Sequence, residues 1–105
     1  MSIQASISRD GPDRAFERSP VVATAAMRRG LRRGSVEVRD LSTHGAKILT
    51  LDPLEPGEQI WLTFPMLEPL QVTVMWANRF DAGCKFAKPL HPAVLHVILQ
   101  KNKSG

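Results

Sequence analysis

Apolar and polar residues alternate along six short segments of this chain, and proline, glycine or other turn-forming residues separate the segments. A period of two is typical of β-strands with one buried face, because successive side chains point to opposite sides of a strand. The predicted strands cover residues 20–27, 35–39, 46–51, 59–64, 70–77 and 84–87. Six strands joined by short turns indicate an all-β antiparallel barrel or sandwich, and a closed barrel leaves no exposed strand edge.

The end of the chain has a helical period instead. Proline stands in the first turn of a predicted helix over residues 91–101. Its apolar stripe consists of Val94, Leu95, Ile98 and Leu99. We expect this stripe to pack on the core, with a partner helix as the alternative. Residues 1–13 lack periodicity and are predicted to be a flexible arm, and residues 14–105 to form one domain.

The composition excludes several classes of protein. No apolar run approaches the roughly 20 residues of a membrane helix, and the N-terminus lacks the basic-then-apolar layout of a secretory signal. Cys84 is the one cysteine, which excludes an internal disulfide and a cysteine-rich zinc site. We therefore expect a cytoplasmic protein that does not insert into membranes.

The positive charge is concentrated in the first half of the chain. Residues 1–50 hold nine basic and five acidic side chains, whereas residues 51–105 hold five of each. Eight of the nine basic residues are arginines, whose planar fork suits phosphates and guanine edges better than lysine does. This bias favours an anionic partner recognised through directional contacts. A merely solubilising surface is the alternative.

No arrangement typical of an enzyme is visible. The three histidines lack the spacing of metal ligands. Asp40, Ser42 and His44 lie within one short segment, whereas the members of a catalytic triad converge from separate elements. Cys84 lies in a predicted strand and is expected to pack as a small apolar group. We therefore predict no catalysis, no metal and no cofactor.

Two short motifs stand out, and strand topology connects them. The first is R-x-x-x-R at Arg14 and Arg18, and the second is D-x-S-x-x-G over residues 40–45. If the first two strands form a hairpin, the start of one lies beside the end of the other, so Arg18 neighbours Asp40. The basic turn at residues 28–34 would lie roughly 25 Å away, at about 3.3 Å per residue. Only Arg14 and Arg18 can then share a site with the second motif.

The residue types at this predicted site favour a guanine nucleotide that carries more than one phosphate charge. Arginine forks bind phosphate or the guanine O6/N7 edge, and the Asp40 carboxylate complements the guanine edge that carries N–H donors. The Ser42 hydroxyl can donate to phosphate, and Gly45 permits a close backbone approach. Val38 and Leu41 are apolar but three residues apart, which predicts a bulge that points Asp40 outward.

Together these motifs resemble the PilZ domain family, bacterial receptors for cyclic di-GMP. Residues 54–58, 72–76 and 83–86 resemble the closing strands of that family, so the likeness covers residues 14 to about 88. It implies a six-stranded antiparallel barrel of the split-barrel or Greek-key type with a C-terminal helix. It also implies ligand-binding roles for five residues: Arg14, Arg18, Asp40, Ser42 and Gly45. The implied function is a regulatory module whose N-terminal arm becomes ordered over the barrel on binding cyclic di-GMP, and which then signals to a partner protein.

One position departs from the pattern. Asp13 stands where similar proteins often have an apolar residue or arginine, and its charge opposes phosphate, whereas Arg9 could compensate from further back. This favours one monomeric ligand or weak binding. It also leaves open a degenerate domain that acts as a protein adaptor without nucleotide. A small nucleic-acid-binding barrel is less favoured, because the six aromatic residues lie mostly on apolar strand faces. Trp76, for example, is two residues from Val74 in the alternating pattern, which predicts a core position for it.

Overall fold

The computed structural model describes residues 18–102. Within that range six strands are followed by one helix: β1 Ser19–Arg29, β2 Arg32–Leu41, β3 Gly45–Leu49, β4 Gln59–Thr63, β5 Leu70–Ala77, β6 Asp81–Phe86 and α1 Pro92–Lys101. All pairs are antiparallel, and the strands close into a barrel in the order β1-β2-β3-β6-β5-β4. The predicted barrel with a C-terminal helix is confirmed, and the sandwich alternative is wrong. The predicted arm at residues 1–13 lies outside the described residues.

The alternation read from the sequence builds the core. Along β1, every second side chain from Val21 to Met27 is buried, and those between them are exposed. The largest fully buried side chains are Phe64, Leu41, Ile48, Ile60, Leu62, Val38, Val72 and Val74. Cys84 is buried beside them, and desolvation raises the pKa of its thiol to about 12. Its predicted role as a small apolar group is confirmed.

Helix α1 packs on this core through the predicted stripe. Ile98 is buried, and the partly buried Val94, Leu95 and Leu99 pack against the core. His91 forms the N-cap, because its Nδ1 accepts a hydrogen bond of 3.0 Å from the backbone amide of Ala93. None of the helices in residues 18–102 is both long enough and apolar enough to cross a membrane.

Two strand boundaries, the starts of β2 and β6, differ from the predicted ones by three residues, and the others by at most two. Gly30 adopts φ 64° and forms a two-residue turn with Leu31, so Arg29 pairs with Arg32 and the predicted turn at residues 28–34 was too wide. Strand β6 begins at Asp81 rather than Cys84, because Ala82 and Gly83 pair with both β3 and β5 and Asp81 pairs with β3. Pairing on two sides overrides the low strand propensity of Gly83.

The barrel has two distinct ends. The hairpin end carries the turn of Gly30 and Leu31, the β3–β4 connection at residues 50–58 and the β5–β6 turn at residues 78–80. The motif end carries the start of β1, the β2–β3 turn at residues 42–44 and helix α1. Leu90, which precedes the helix, donates its backbone N–H to the Thr43 carbonyl at 2.7 Å. The two predicted motifs therefore fall at one end, and the basic turn falls at the other.

An ion pair links the β1–β2 hairpin to the β3–β4 connection, and it makes the free energy of unfolding depend on pH. The Arg29 guanidinium donates to both carboxylate oxygens of Glu58, with Nη2 3.1 Å from Oε1. This hydrogen bonding holds the pKa of Glu58 below its ordinary value, although burial opposes the shift. Because the folded pKa is lowered, the stabilisation is present above about pH 4.3 and is lost as the pH falls through the folded value.

We expect Glu58→Gln to lower the free energy of unfolding by about 1–2 kcal/mol at pH 7, since the pair is only partly screened by solvent. Urea unfolding at pH 7 and at pH 3 would measure the effect. The difference between the variant and the parent should shrink at pH 3, because this pH lies below the ordinary pKa of glutamate and unfolding of the parent then takes up a proton. An equal difference at both pH values would contradict this account.

Candidate functional site

The second motif forms a tight turn at the motif end. The buried Ser42 hydroxyl accepts hydrogen bonds from the backbone amides of His44 at 3.1 Å and Gly45 at 3.2 Å. The Ser42 amide in turn donates to the Gly45 carbonyl at 2.9 Å. Ser42 therefore shapes the turn, and its contact with a ligand stays a prediction.

Gly45 is needed where β3 passes β6. A Cβ atom at this position would lie 2.3 Å from the carbonyl oxygen of Cys84, a distance that no real side chain tolerates. The close backbone approach expected of Gly45 is thus made to the neighbouring strand. The turn is also tied to the chain after β6, since the Phe86 amide donates to the His44 carbonyl at 2.8 Å.

Asp40 projects outward from the bulge that the sequence predicted. The β2–β3 register shifts between Val38 and Asp40, so the neighbouring side chains of Arg39 and Asp40 are both at least partly exposed. Asp40 lines an open groove of about 1010 Å³ on the outer face of β1, β2 and β3. Within residues 18–102 its carboxylate has no hydrogen-bond or ion-pair partner, so within this range it is not engaged with another side chain.

Two cations line the same groove. Arg39 is 3.7 Å from Glu37, and Lys47, whose Cα pairs with that of Asp40, is 4.0 Å from Asp81. Exposed pairs this long contribute little to stability, so an anion in the groove could recruit both cations. The groove thus offers one carboxylate and two positive charges within a single concave surface.

The first motif reaches this groove at its second arginine. Ser19 and Pro20 pair with Leu41 and Asp40, and both line the groove, so Arg18 directly precedes its wall. The hairpin therefore brings Arg18 to the end of the barrel that holds the second motif. Arg9, Asp13 and Arg14 lie outside the described residues.

Sequence reasoning missed several residues that line the groove. Arg39 and Lys47 were not singled out, although alternation alone predicts Lys47 on the outer face of β3. The C-terminal end of α1 closes one side of the groove with Leu99, Gln100 and Asn102. No local sequence pattern predicts that contribution, because it depends on where the helix packs on the barrel core.

The core position predicted for Trp76 is wrong. The β5–β6 register shifts between Val74 and Trp76, and this bulge leaves Met75 and Trp76 55% and 40% exposed. The alternation of buried and exposed side chains that includes Val74 therefore does not continue to Trp76. The indole instead covers Gly83, where a Cβ atom would lie 2.2 Å from the Trp76 Nε1. Since Gly83 pairs with Lys47, the indole lies one strand away from the groove wall.

We expect Gly83→Ala to displace the Trp76 indole from β6, because the added methyl group would occupy its place. The displaced ring would meet more water, and its fluorescence emission should move to longer wavelength. A Trp61→Phe background isolates the signal, since the chain has two tryptophans. Unchanged emission in Gly83→Ala would contradict the packing of Trp76 on Gly83.

The arrangement fits recognition better than catalysis. The groove combines a carboxylate on a β-bulge with two loosely paired cations, and an arginine directly precedes its wall in the chain. These groups can bind a ligand that presents both hydrogen-bond donors and anionic groups. No group of three or more histidine, cysteine or acidic side chains within the described range could hold a metal ion.

Comparison with known proteins agrees with this view of the fold. A search of curated proteins gives no match. A scan against protein families matches residues 12–101 to the PilZ domain. That match spans most of the chain, includes both motifs and agrees with the closed six-stranded barrel and C-terminal helix, so the chain belongs to the PilZ domain family.

Proposed function

We propose that this domain is a receptor for cyclic di-GMP that carries out no catalysis and signals by a conformational change to a partner protein. PilZ domains are in general cyclic di-GMP receptors and regulatory modules rather than enzymes. The observation that supports the proposal for this chain is the Asp40 carboxylate, which has no partner among residues 18–102 and lines one groove with Arg39 and Lys47.

Each group has a role that follows from its chemistry. Asp40 accepts from the N–H donors of a guanine edge, while Arg14 and Arg18 bind phosphate or the guanine O6/N7 edge through their forks. Lys47 adds a positive charge to the groove, where it favours the phosphates. Ser42 and Gly45 hold the turn that sets the end of β2, and Ser42 is proposed to contact the ligand as well.

The proposed signal is an ordering of the N-terminal segment over the barrel. The phosphate charges of the ligand draw Arg14 and Arg18 toward the groove, and the chain between them follows. The surface formed at the motif end then differs with and without nucleotide. Part of the binding energy is spent on this ordering, so affinity is lower than the contacts alone would give.

Isothermal titration with cyclic di-GMP tests the proposal, with GMP as a control that carries the base and one phosphate but not the cyclic dinucleotide. We expect saturable heat with cyclic di-GMP and a change in tryptophan fluorescence, because Trp76 lies one strand from Lys47. The stoichiometry expected from the charge of Asp13 is one nucleotide per chain. Absence of heat and of any spectral change at high protein concentration would overturn the proposal.

An adaptor that does not bind nucleotide is the second candidate. It is favoured by the Ser42 hydroxyl, which is already engaged within its own turn, and by the acidic charge of Asp13. Its signature is a partner complex whose affinity is the same with and without cyclic di-GMP, and which Arg18→Ala leaves unchanged.

A further inference from the structure

Strand β2 extends past its neighbour at the hairpin end. On one side it pairs with β1 along residues 32–41, but its pairing with β3 starts only at Glu37, opposite Leu49. Strand β3 ends at Leu49, and the chain bends at residues 50–52, where the Asp52 amide donates to the Thr50 hydroxyl at 3.1 Å. In the described part of the chain, no strand pairs with residues 32–36 on the side opposite β1.

This stretch is an open strand edge with its hydrogen-bonding groups directed outward. Arg29 and Arg32 close a two-residue turn and exchange backbone hydrogen bonds with each other. Every second pair of residues along β1 and β2 from that point does the same. The residues between them direct their N–H and C=O groups away from β1. At the open edge those residues are Arg33 and Ser35, and such groups can pair with an added strand.

A shallow groove follows the open edge and is partly apolar. It has a volume of about 430 Å³, and Ser35, Leu49, Leu51 and Phe80 contribute to its lining. Leu51 is 88% exposed and Phe80 is 55% exposed, so apolar surface adjoins the unpaired backbone. Backbone pairing together with pockets for alternate side chains is the combination by which a sheet edge binds an extended peptide.

Charge decides which peptide fits. Arg33 is exposed and has no acidic partner among residues 18–102, and Arg32 is 4.0 Å from Asp52 but largely exposed. Glu37, which also lines the groove, is paired with Arg39. A second copy of the chain, pairing edge to edge, would bring these arginines close to their counterparts and would be repelled. An extended segment that carries acidic residues would be attracted.

We propose that the open β2 edge at Arg33 and Ser35 is a docking site for an extended, acidic segment of a partner protein, which adds a strand beyond the end of β3. Its acidic side chains would face Arg33, and apolar side chains between them would contact Leu51 and Phe80. The site lies at the hairpin end, away from the groove of Asp40. This proposal does not rest on nucleotide binding, and it is tested without nucleotide.

The test uses a capped seven-residue peptide in which glutamate and valine alternate, added to the full chain and followed by NMR. We expect the backbone amides of Arg33 and Ser35 to exchange rapidly with solvent in the free protein. On addition of the peptide, their signals should shift and their exchange should slow at least tenfold. The same peptide with alternate backbone nitrogens methylated should lose this protection, because it cannot complete the strand hydrogen bonds.

Charge controls complete the design. A peptide with lysine in place of glutamate should bind at least fivefold more weakly, and Arg33→Glu should weaken the glutamate peptide by about fivefold. Lys101→Glu, at the other end of the barrel, changes the net charge equally and should leave the affinity unchanged. Shifts elsewhere, equal binding of the lysine or methylated peptide, or no binding at millimolar peptide would overturn the proposal. Protection of the same amides by self-association would overturn the choice of partner.

Discussion

Asp40→Ala is expected to weaken the binding of cyclic di-GMP by tenfold or more. Removal of a carboxylate that accepts from guanine N–H donors costs about 1.5–3 kcal/mol, and each 1.4 kcal/mol is a factor of ten in affinity. Arg18→Ala should cause a loss of similar size through the lost phosphate or guanine contact. Titration calorimetry of each variant would measure both effects, because neither substitution touches the core.

Arg32→Ala is the matched control for the loss of an arginine. It removes the same charge at the hairpin end, where register places it far from Asp40, and should leave nucleotide affinity within about twofold. Arg14→Ala should behave like Arg18→Ala, which would extend the site to a residue outside the described range. Full affinity in Asp40→Ala would contradict the proposed guanine contact, and equal loss in Arg32→Ala would indicate non-specific attraction.

Gly45→Ala is expected to destabilise the fold by about 3 kcal/mol or more. Its Cβ would lie 2.3 Å from a backbone oxygen of β6, so relief requires one strand to move rather than a side chain to rotate. The strands at this point also hold the motif turn, and nucleotide binding should weaken together with stability. Urea unfolding followed by far-UV circular dichroism would measure the change.

Gly34→Ala provides a matched comparison in the same sheet. A Cβ atom at Gly34 meets nothing within 4 Å, and its backbone does not require glycine. We expect the free energy of unfolding to stay the same or rise by about 0.5 kcal/mol, through the reduced entropy of the unfolded chain. Equal losses in the two variants would show that the cost comes from strand propensity rather than from contact with Cys84.

Alternation alone predicted the barrel because one face of nearly every strand is buried. The Asp40 bulge was also predictable, since Val38 and Leu41 break the period where polar residues intervene. The bulge beside Trp76 was not, because Met75 and Trp76 are both apolar and leave no break in the pattern. A period of two cannot indicate which of two adjacent apolar residues is turned outward.

The candidate site was predictable only in part. Hairpin topology brings Arg18 and the second motif to one end, and this follows from strand order alone. The groove itself also needs Lys47 from a third strand and the end of α1, which come together through tertiary packing. The open edge of β2 was likewise hidden, because it depends on where β3 stops. Thr50 continues the alternation of β3, but the chain bends there, because the Asp52 amide donates to the Thr50 hydroxyl.

The burial of Cys84 has a practical consequence for following the N-terminal segment. Burial raises the pKa of the thiol to about 12, so little thiolate is present at pH 7 and maleimide reagents should leave Cys84 unmodified in the folded protein. A cysteine introduced at an exposed position would then be labelled selectively without removal of the native one. A fluorophore attached before Arg18 could report, by energy transfer from Trp76, whether nucleotide brings that segment toward the barrel.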